Sequence, residues 1–263
     1  MEFFGYLASV FIGISLGLIG GGGSILTVPI LVYLFKVDAQ NATSYSLFIV
    51  GSTALVGTYR HYKIGNLKIR AALLFAIPSL ASLFLVRNFI LPSIPNTLFT
   101  LSDFVLTKNL LIMLVFALLM ISASVSMIRK RNDSNQAKPT MNVQKLMSIG
   151  FAVGIVTGFL GAGGGFLIIP ALVFFVGLTM KQAIGTSLFI ISINSLLGFA
   201  GDVIGGIHLD YRLLFSITVL AIGGMAIGTM LSKKIDGPML KPIFGWFVLI
   251  MGIYVLATEL FMT

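Results

Sequence analysis

Residues 13–29 read Gly13-Ile-Ser-Leu-Gly17-Leu-Ile-Gly20-Gly-Gly-Gly23-Ser-Ile-Leu-Thr-Val-Pro29, and residues 154–170 repeat the pattern as Gly154-Ile-Val-Thr-Gly158-Phe-Leu-Gly161-Ala-Gly-Gly164-Gly-Phe-Leu-Ile-Ile-Pro170. Without a gap, 17 of 45 positions are identical between 13–57 and 154–198. Each copy places a glycine cluster inside a long apolar stretch, where irregular backbone must line a cavity or be buried in protein. Two such interruptions at corresponding positions of two halves indicate the binding site of a transporter.

The composition around these clusters is that of an integral membrane protein. Hydrophobic residues make up 57% of the chain and charged residues 10%, against about 25% charged residues in soluble domains. Alternating strand patterns of about ten residues are absent, so the sequence predicts an all-α, polytopic helix bundle. The net charge of +9 is concentrated in short loops, which is typical of a topology signal and does not require a nucleic-acid partner.

Ten apolar segments are predicted, five on each side of a polar, basic linker at 129–142, so that the two repeats comprise 1–128 and 143–263. The predicted segments are 3–19, 25–36, 42–59, 69–87 and 109–128 in the first repeat, and 143–160, 166–177, 182–201, 211–232 and 241–259 in the second. The apolar run 3–35 would be about 50 Å long as one helix, against a hydrocarbon core of about 30 Å. The chain is therefore expected to turn back at each glycine cluster.

The distribution of basic residues predicts inverted repeats. Lysine and arginine concentrate in the loop 60–70, in the linker and around 233–241, and the positive-inside rule places these loops in the cytoplasm. That placement requires an odd number of segments in each half. The loop 201–212, the counterpart of 60–70, has two aspartates and one arginine and fits the outer side. Both termini are then predicted to lie outside a bacterial or archaeal inner membrane.

The glycine clusters and the polar helix face after each of them form the predicted binding site. Pro29 and Pro170 favour extended backbone before them and a helix start at their own position. Residues 20–28 and 161–169 are therefore expected to be irregular, with N–H groups near a helix N-terminus that attract anions. The candidate ligands are Gly20, Gly21, Gly22, Gly23, Ser24, Gly161, Gly163, Gly164 and Gly165, with side-chain donors from Ser46, Thr53, Ser187 and Asn194.

Structural roles for the same residues stay open. Glycines can serve helix packing alone, and intramembrane hydroxyls and amides commonly bond to neighbouring helices. His61 and His208 are expected in solvated loops, and Arg87 is expected to extend toward the membrane interface. Because no carboxylate is predicted deep in a span, a carboxylate-driven antiporter is disfavoured. No catalytic constellation, metal-ligand pair or cofactor motif is present, so no enzyme, metal or cofactor is predicted.

The doubled G-x-x-x-G-x-x-G-[GA]-G-G-x(5)-P element is followed each time by Ala-x(3)-Ser-Leu-Phe-Ile, at 42–49 and 183–190. In these motifs the chain resembles the TauE/SafE family of membrane transporters over essentially its whole length. The resemblance implies transport of a small anion, such as sulfite, another sulfur oxyanion or an organosulfonate. The absence of cysteine distinguishes the chain from thiosulfate carriers that use cysteine relays.

Together these features predict a secondary transporter or facilitator for a small anion, with export weakly favoured over import. A gated anion channel is the first alternative, and a non-transporting membrane subunit that anchors a partner is the second. The expected surroundings are the lipid bilayer and the anion itself. Coupling to Na⁺ or H⁺ and a homodimeric state are left open by the sequence.

Overall fold

The computed structural model describes residues 2–95, 97–101, 104–128, 142–160, 165–207, 209–232 and 237–261. Their helices are α1 (Glu2–Ile19), α2 (Gly22–Pro29), α3 (Ala39–Lys63), α4 (Ile69–Leu85), α5 (Leu91–Ser93), α6 (Lys108–Ile128), α7 (Val143–Leu160), α8 (Gly165–Ala171), α9 (Met180–Ile204), α10 (Tyr211–Ser232) and α11 (Gly237–Phe261). π-helical turns follow α2 (Ile30–Leu34), α4 (Val86–Ile90) and α8 (Leu172–Val176). Each of the ten predicted segments is helical. The predicted linker 129–142 lies outside the described residues, apart from Asn142.

One element was not predicted from the sequence. Strands β1 (Thr97–Leu101) and β2 (Phe104–Thr107) form an antiparallel hairpin between α5 and α6. It is the one sheet among the described residues, and the remaining architecture is helical.

The surface and the interior of the bundle are those of a membrane protein. Among the described residues, three helical segments are long and apolar enough to cross a membrane: Ile69–Ser93, Met180–Ile204 and Tyr211–Ser232. Shorter apolar helices accompany them. Large apolar side chains such as Phe89 and Val219 are exposed, at 71% and 67%. Conversely, many hydroxyl side chains of α3 and α9 are buried. This distribution places apolar groups toward lipid and polar groups toward other helices.

The short helices after the glycine clusters begin earlier than predicted. α2 begins at Gly22 and α8 at Gly165, and each continues through its proline into a π-helical turn. The expectation of irregular backbone up to Pro29 and Pro170 is therefore wrong for 22–28 and 165–169. A proline lacks only its own N–H donor, and local π-helical adjustment accommodates that loss within a membrane bundle.

The helices α3 and α9, of 25 residues each, pack against each other along their length in opposite directions. Ser44 near the start of α3 bonds to Asp202 near the end of α9. At the other end, His61 of α3 lies against Gly185 of α9. α3 and α9 therefore form an antiparallel pair through the centre of the molecule.

The remaining long helices pack around this pair in matching ways. α1 lies on α10 and runs parallel to it, since Gly13 contacts Ala221 and Gly17 contacts Thr229. α7 lies on α4 in the same manner, and α6 packs on α11. In the repeat, α7 is the counterpart of α1, and α4 is the counterpart of α10. The small residues at these contacts allow the helix backbones to approach closely.

The two repeats also share local structure, in the bounds and caps of α3 and α9. α9 begins and ends 141 residues after α3, and both helices have a side-chain cap, Asp38 in α3 and Thr179 in α9. Just before these caps, Lys36 and Gly177 both adopt the left-handed conformation, with φ of 58° and 72°. The same backbone is thus built twice, once with glycine at this position and once with lysine.

Candidate functional site

The first glycine cluster forms the turn between α1 and α2, and its glycines approach three different elements. Gly20 has a φ of +75°, in the left-handed region that favours glycine, and a side chain there would collide with α9. A Cβ at Gly21 would overlap the main chain of Gly165 at the start of α8, and one at Gly23 would overlap the main chain of α1. Packing therefore requires glycine at all three positions. A ligand at this turn could be contacted only by backbone groups of these glycines.

Two serines hold the carbonyl groups of this turn. The Ser187 hydroxyl of α9 has two acceptors within reach, Gly20 O at 3.1 Å and Ile184 O at 2.9 Å, which share its single proton. Ser24 donates to Gly21 O at 2.7 Å. The predicted residues Gly20, Gly21, Ser24 and Ser187 are thus brought together, and Gly165 joins them across the contact with Gly21.

The polar face of α3 contributes a buried hydroxyl that remains unpaired. Ser46 is fully buried, and its Oγ has no hydrogen-bond partner in the part of the chain that the structure describes. Thr53, seven residues later, is also fully buried but donates to Ile49 O of its own helix at 2.6 Å. Ser46 therefore has hydrogen-bonding capacity for a ligand, whereas the Thr53 hydroxyl is already engaged.

Asn194 has the corresponding place on α9. Its Nδ2 donates to Ser79 Oγ of α4 at 2.7 Å, while its Oδ1 accepts no hydrogen bond among the described residues. The adjacent Ser195 is likewise buried without a partner there. An unpaired buried amide oxygen costs about 1–3 kcal/mol. Since Oδ1 is only an acceptor, this group suits a donor, a cation or water better than an anion.

Some predicted ligands lie outside the described residues. Gly161, Gly163 and Gly164 fall in the interval 161–164, which precedes the start of α8. Gly22 is the first residue of α2.

Sequence reasoning missed the most strongly polar arrangement of the described interior. Arg87, in the π-helical turn after α4, has a side chain only 4% exposed and forms an ion pair with Asp202 of α9. Its Nε donates to Asp202 Oδ1 at 2.7 Å, and its Nη2 donates to Asp202 Oδ2. Ser44 of α3 donates to the same Oδ2 at 2.5 Å. The expectation that Arg87 extends to the interface is wrong, because Asp202 pairs with it inside the bundle.

The histidine expected in a solvated loop is also buried. His61 lies in the last turn of α3, is 6% exposed, and its Nδ1 has no partner among the described residues. His208 lies outside the described residues. His61 stands 141 residues before Asp202, so the repeats carry different ionisable groups at this position.

The arrangement provides neutral donors at the glycine turn and one charged side chain, Arg87, at the end of the α3–α9 pair where Asp202 lies. Within the described residues, no group of three or more His, Cys, Asp or Glu side chains is placed to hold a metal ion. Hydroxyl and backbone N–H donors together with a guanidinium are the groups that recognise oxyanions.

Comparisons with known proteins identify the family of the chain. The family model described as "Sulfite exporter TauE/SafE" matches residues 6–255. A "Probable membrane transporter protein" of Xylella fastidiosa (strain 9a5c) is 30% identical over 255 residues, covering 93% of this chain and 91% of its own. The "Probable membrane transporter protein YdhB" of Bacillus subtilis (strain 168) is 26% identical and covers 89% of this chain and 92% of its own. The protein is thus a membrane protein of the transporter class, and the chain belongs to the sulfite exporter TauE/SafE family.

Proposed function

We propose that the protein is a secondary transporter or facilitator that moves a small anion of the sulfur oxyanion or organosulfonate class across the cell membrane. The observation that carries the proposal is the meeting of the two glycine-led helix starts. Gly21 lies against Gly165, and Ser187 bonds to the adjacent turn at Gly20. Turns of this kind inside a membrane bundle are tolerated where they are buried in protein or line a cavity, and paired breaks in two repeats favour a transporter's binding site.

The chemistry at this junction suits an anion. Backbone N–H groups at the start of α2 have no intrahelical acceptor and lie at the positive end of the helix dipole. Ser46, which lies toward the Asp202 end of the α3–α9 pair rather than at this junction, is a further candidate donor, with a buried hydroxyl that is unpaired among the described residues. The family name adds the sulfur chemistry, which is the reason for placing sulfite, thiosulfate, sulfate and short sulfonates first. The remaining candidates, Gly22, Gly23, Ser24, Thr53 and the second cluster, belong to the same proposed site, and Asn194 belongs to it through the second hydrogen of Nδ2 rather than through Oδ1.

Inverted repeats are part of the proposal. α3 and α9 are repeat counterparts of 25 residues each, about 37 Å long and sufficient to cross a core of about 30 Å. Because they run in opposite directions, the axis that exchanges them is perpendicular to both. For spanning helices that axis lies in the plane of the membrane. The basic loops then face the cytoplasm, and both termini face outward.

Electrostatics favours export. A negative-inside potential drives anion exit by about 2.3 kcal/mol per charge per 100 mV, so export needs no coupled ion. Import would require Na⁺ or H⁺, and the unpaired acceptor oxygen of Asn194 is one group that could contact a cation.

The test is binding and flux by purified protein in proteoliposomes, with sulfite, thiosulfate, sulfate, sulfoacetate, taurine, phosphate and nitrate, each with and without Na⁺. Selective binding and flux of one sulfur anion is expected. A gated channel would give single-vesicle flux far above carrier turnover. A subunit that only anchors a partner would give no flux, and its function would survive Ser46→Ala with Ser187→Ala. Absence of both binding and flux for every anion would contradict the proposal.

A further inference from the structure

Arg87 and Ser44 hold the two-oxygen carboxylate of Asp202 in a fork that we call the Arg87 receptor. The guanidinium presents Nε and Nη2 in one plane to the two oxygens of Asp202, and the Ser44 hydroxyl donates to one of them. A planar guanidinium fork with an added hydroxyl binds carboxylates, and it binds other small oxyanions by the same geometry. The side chain of Asp202 that occupies this receptor is 12% exposed and lies in the last turn of α9.

Arg87 also contacts α3 and α7, the helices that carry or lead to two of the predicted ligand groups. Arg87 Nη1 donates to Gly158 O at 3.2 Å, and Gly158 precedes the second glycine cluster by three residues. Arg87 Nη2 also donates to Ser44 Oγ at 2.8 Å, with Thr43 Oγ1 at 3.4 Å. These two residues lie within one turn of Ser46 on α3. Arg87 therefore lies within one turn of Ser46 and contacts the helix that leads to the second glycine cluster, at the opposite end of α9 from Ser187 and the Gly20 turn.

A charged group is what the proposed site otherwise lacks. Hydroxyls and backbone N–H groups provide dipoles, but a buried anion is stable only when it is paired or extensively hydrogen-bonded. A buried arginine equally needs a partner, because an uncompensated charge costs several kcal/mol. Exchange of Asp202 for an incoming anion keeps Arg87 paired throughout.

The Arg87–Asp202 pair has no counterpart at the positions that the repeat relates to it. The residues 141 positions away from Arg87 and Asp202, in the appropriate direction, are Gly228 and His61. A contact needed merely to fasten each repeat to the other would be expected at both ends of the α3–α9 pair. A single copy, at the Asp202 end, is what a one-sided anion site requires.

We propose that Arg87 is a second anion-binding site, in which the carboxylate of Asp202 occupies the place of the transported oxyanion and competes with it. The inference rests on the proposed function for the identity of the anion. Asp202 acts as a tethered competitor, and a tethered group competes at an effective concentration of about millimolar or more.

The test uses full-length protein and measures the affinity for ³⁵S-labelled sulfite, thiosulfate and sulfate. Asp202→Asn retains the shape and removes the competing charge, so the affinity should rise at least about 10-fold. The anion that binds should also raise the thermal unfolding midpoint of Asp202→Asn more than it raises that of the wild type. Arg87→Gln combined with Asp202→Asn is neutral at both positions and should lose affinity at least about 10-fold relative to Asp202→Asn.

The matched control is Arg60→Gln. Arg60 donates to Ala226 O at 3.1 Å and to Thr229 Oγ1 at 2.6 Å, both on α10, and its loss should leave the affinity within about twofold. Equal affinity in the wild type, Asp202→Asn and the double variant would overturn the Arg87 site. If Asp202→Asn does not fold, the double variant alone decides: wild-type affinity overturns the site, and loss relative to the wild type supports it.

The result separates this inference from the proposed function. If the wild type transports the anion but Asp202→Asn shows no gain in affinity that depends on Arg87, the proposed transport function is supported and the Arg87 site is rejected. Arg87-dependent binding in Asp202→Asn without flux in any variant leaves the Arg87 site and rejects transport.

Discussion

The contact between Gly21 and Gly165 gives the most direct test of the glycine junction. In Gly21→Ala, the new Cβ would lie 2.9 Å from the Cα of Gly165 and closer still to its carbonyl group, where 3.4–4 Å is ordinary contact. All of these atoms belong to the main chain, so no side-chain rotation relieves the overlap. α2 and α8 must separate by about 1 Å to restore ordinary contact. Overpacking of this kind costs about 1–3 kcal/mol.

If that cost falls on the anion-bound arrangement, affinity drops by about 5-fold to 150-fold. The assay is ³⁵S-labelled sulfite binding and efflux from proteoliposomes, together with thermal unfolding of the same preparation. Gly223→Ala is the matched control, because Gly223 is exposed on α10 with nothing within 4 Å of a Cβ. It should keep wild-type affinity and stability.

A second variant separates the site from packing. Gly13→Ala places a Cβ against the main chain of Ala221 on α10, so it should lower stability without changing the affinity of the folded fraction. Gly21→Ala should change both. If Gly21→Ala folds and binds and exports sulfite like the wild type, the junction is not the anion site.

Three further outcomes are expected. Since the chain has no native cysteine, Ile64→Cys and Gly205→Cys should be labelled by an impermeant maleimide from opposite sides of the membrane, and labelling from one side would contradict inverted repeats. Lys36→Gly should raise the free energy of unfolding by up to about 1 kcal/mol, because glycine adopts the left-handed conformation without steric cost; no gain in the unfolding midpoint would contradict this. Ser187→Ala should cost about 1–3 kcal/mol of stability, because it leaves a buried carbonyl unpaired, and it should also weaken sulfite binding. Thr53→Ala should weaken sulfite binding less, because the Thr53 hydroxyl bonds within its own helix.

The helical segments could be predicted because apolar runs and the glycines that interrupt them are visible in the local sequence. The 141-residue offset of the sequence repeat reappears in the bounds of α3 and α9. The start of α2 was predicted too late because the proline was taken as a helix start. Contacts of the glycines with α8, α9 and α1 instead favour a helix from Gly22 onward. Such contacts join residues far apart in the chain and leave no local pattern.

The Arg87–Asp202 pair shows the same limit and one usable signal. The two residues are 115 positions apart, and the hydropathy of each segment places both at helix ends, where a charge is ordinarily solvated. The signal was in the topology. The inverted arrangement puts the end of 69–87 and the end of 182–201 on the same side of the membrane, so two opposite charges were available to each other. Their burial depends on how α3, α4, α7 and α9 pack, which the sequence did not give.

The described contacts also bear on how an anion could cross. At the junction, backbone of α2 touches backbone of α8, so no anion passes between them unless the two helices separate. At one end of the α3–α9 pair, Arg87 fastens the last turn of α9 to α4, and Ser44 adds α3 to the same cluster. At the other end, His61 lies against Gly185 without an ion pair among the described residues. Because an ion pair with matched hydrogen bonds resists separation more than a neutral contact does, the His61 end should open first. An anion admitted there would reach the glycine junction with the Arg87 end still closed, which is the order of events that a carrier requires and an open channel does not.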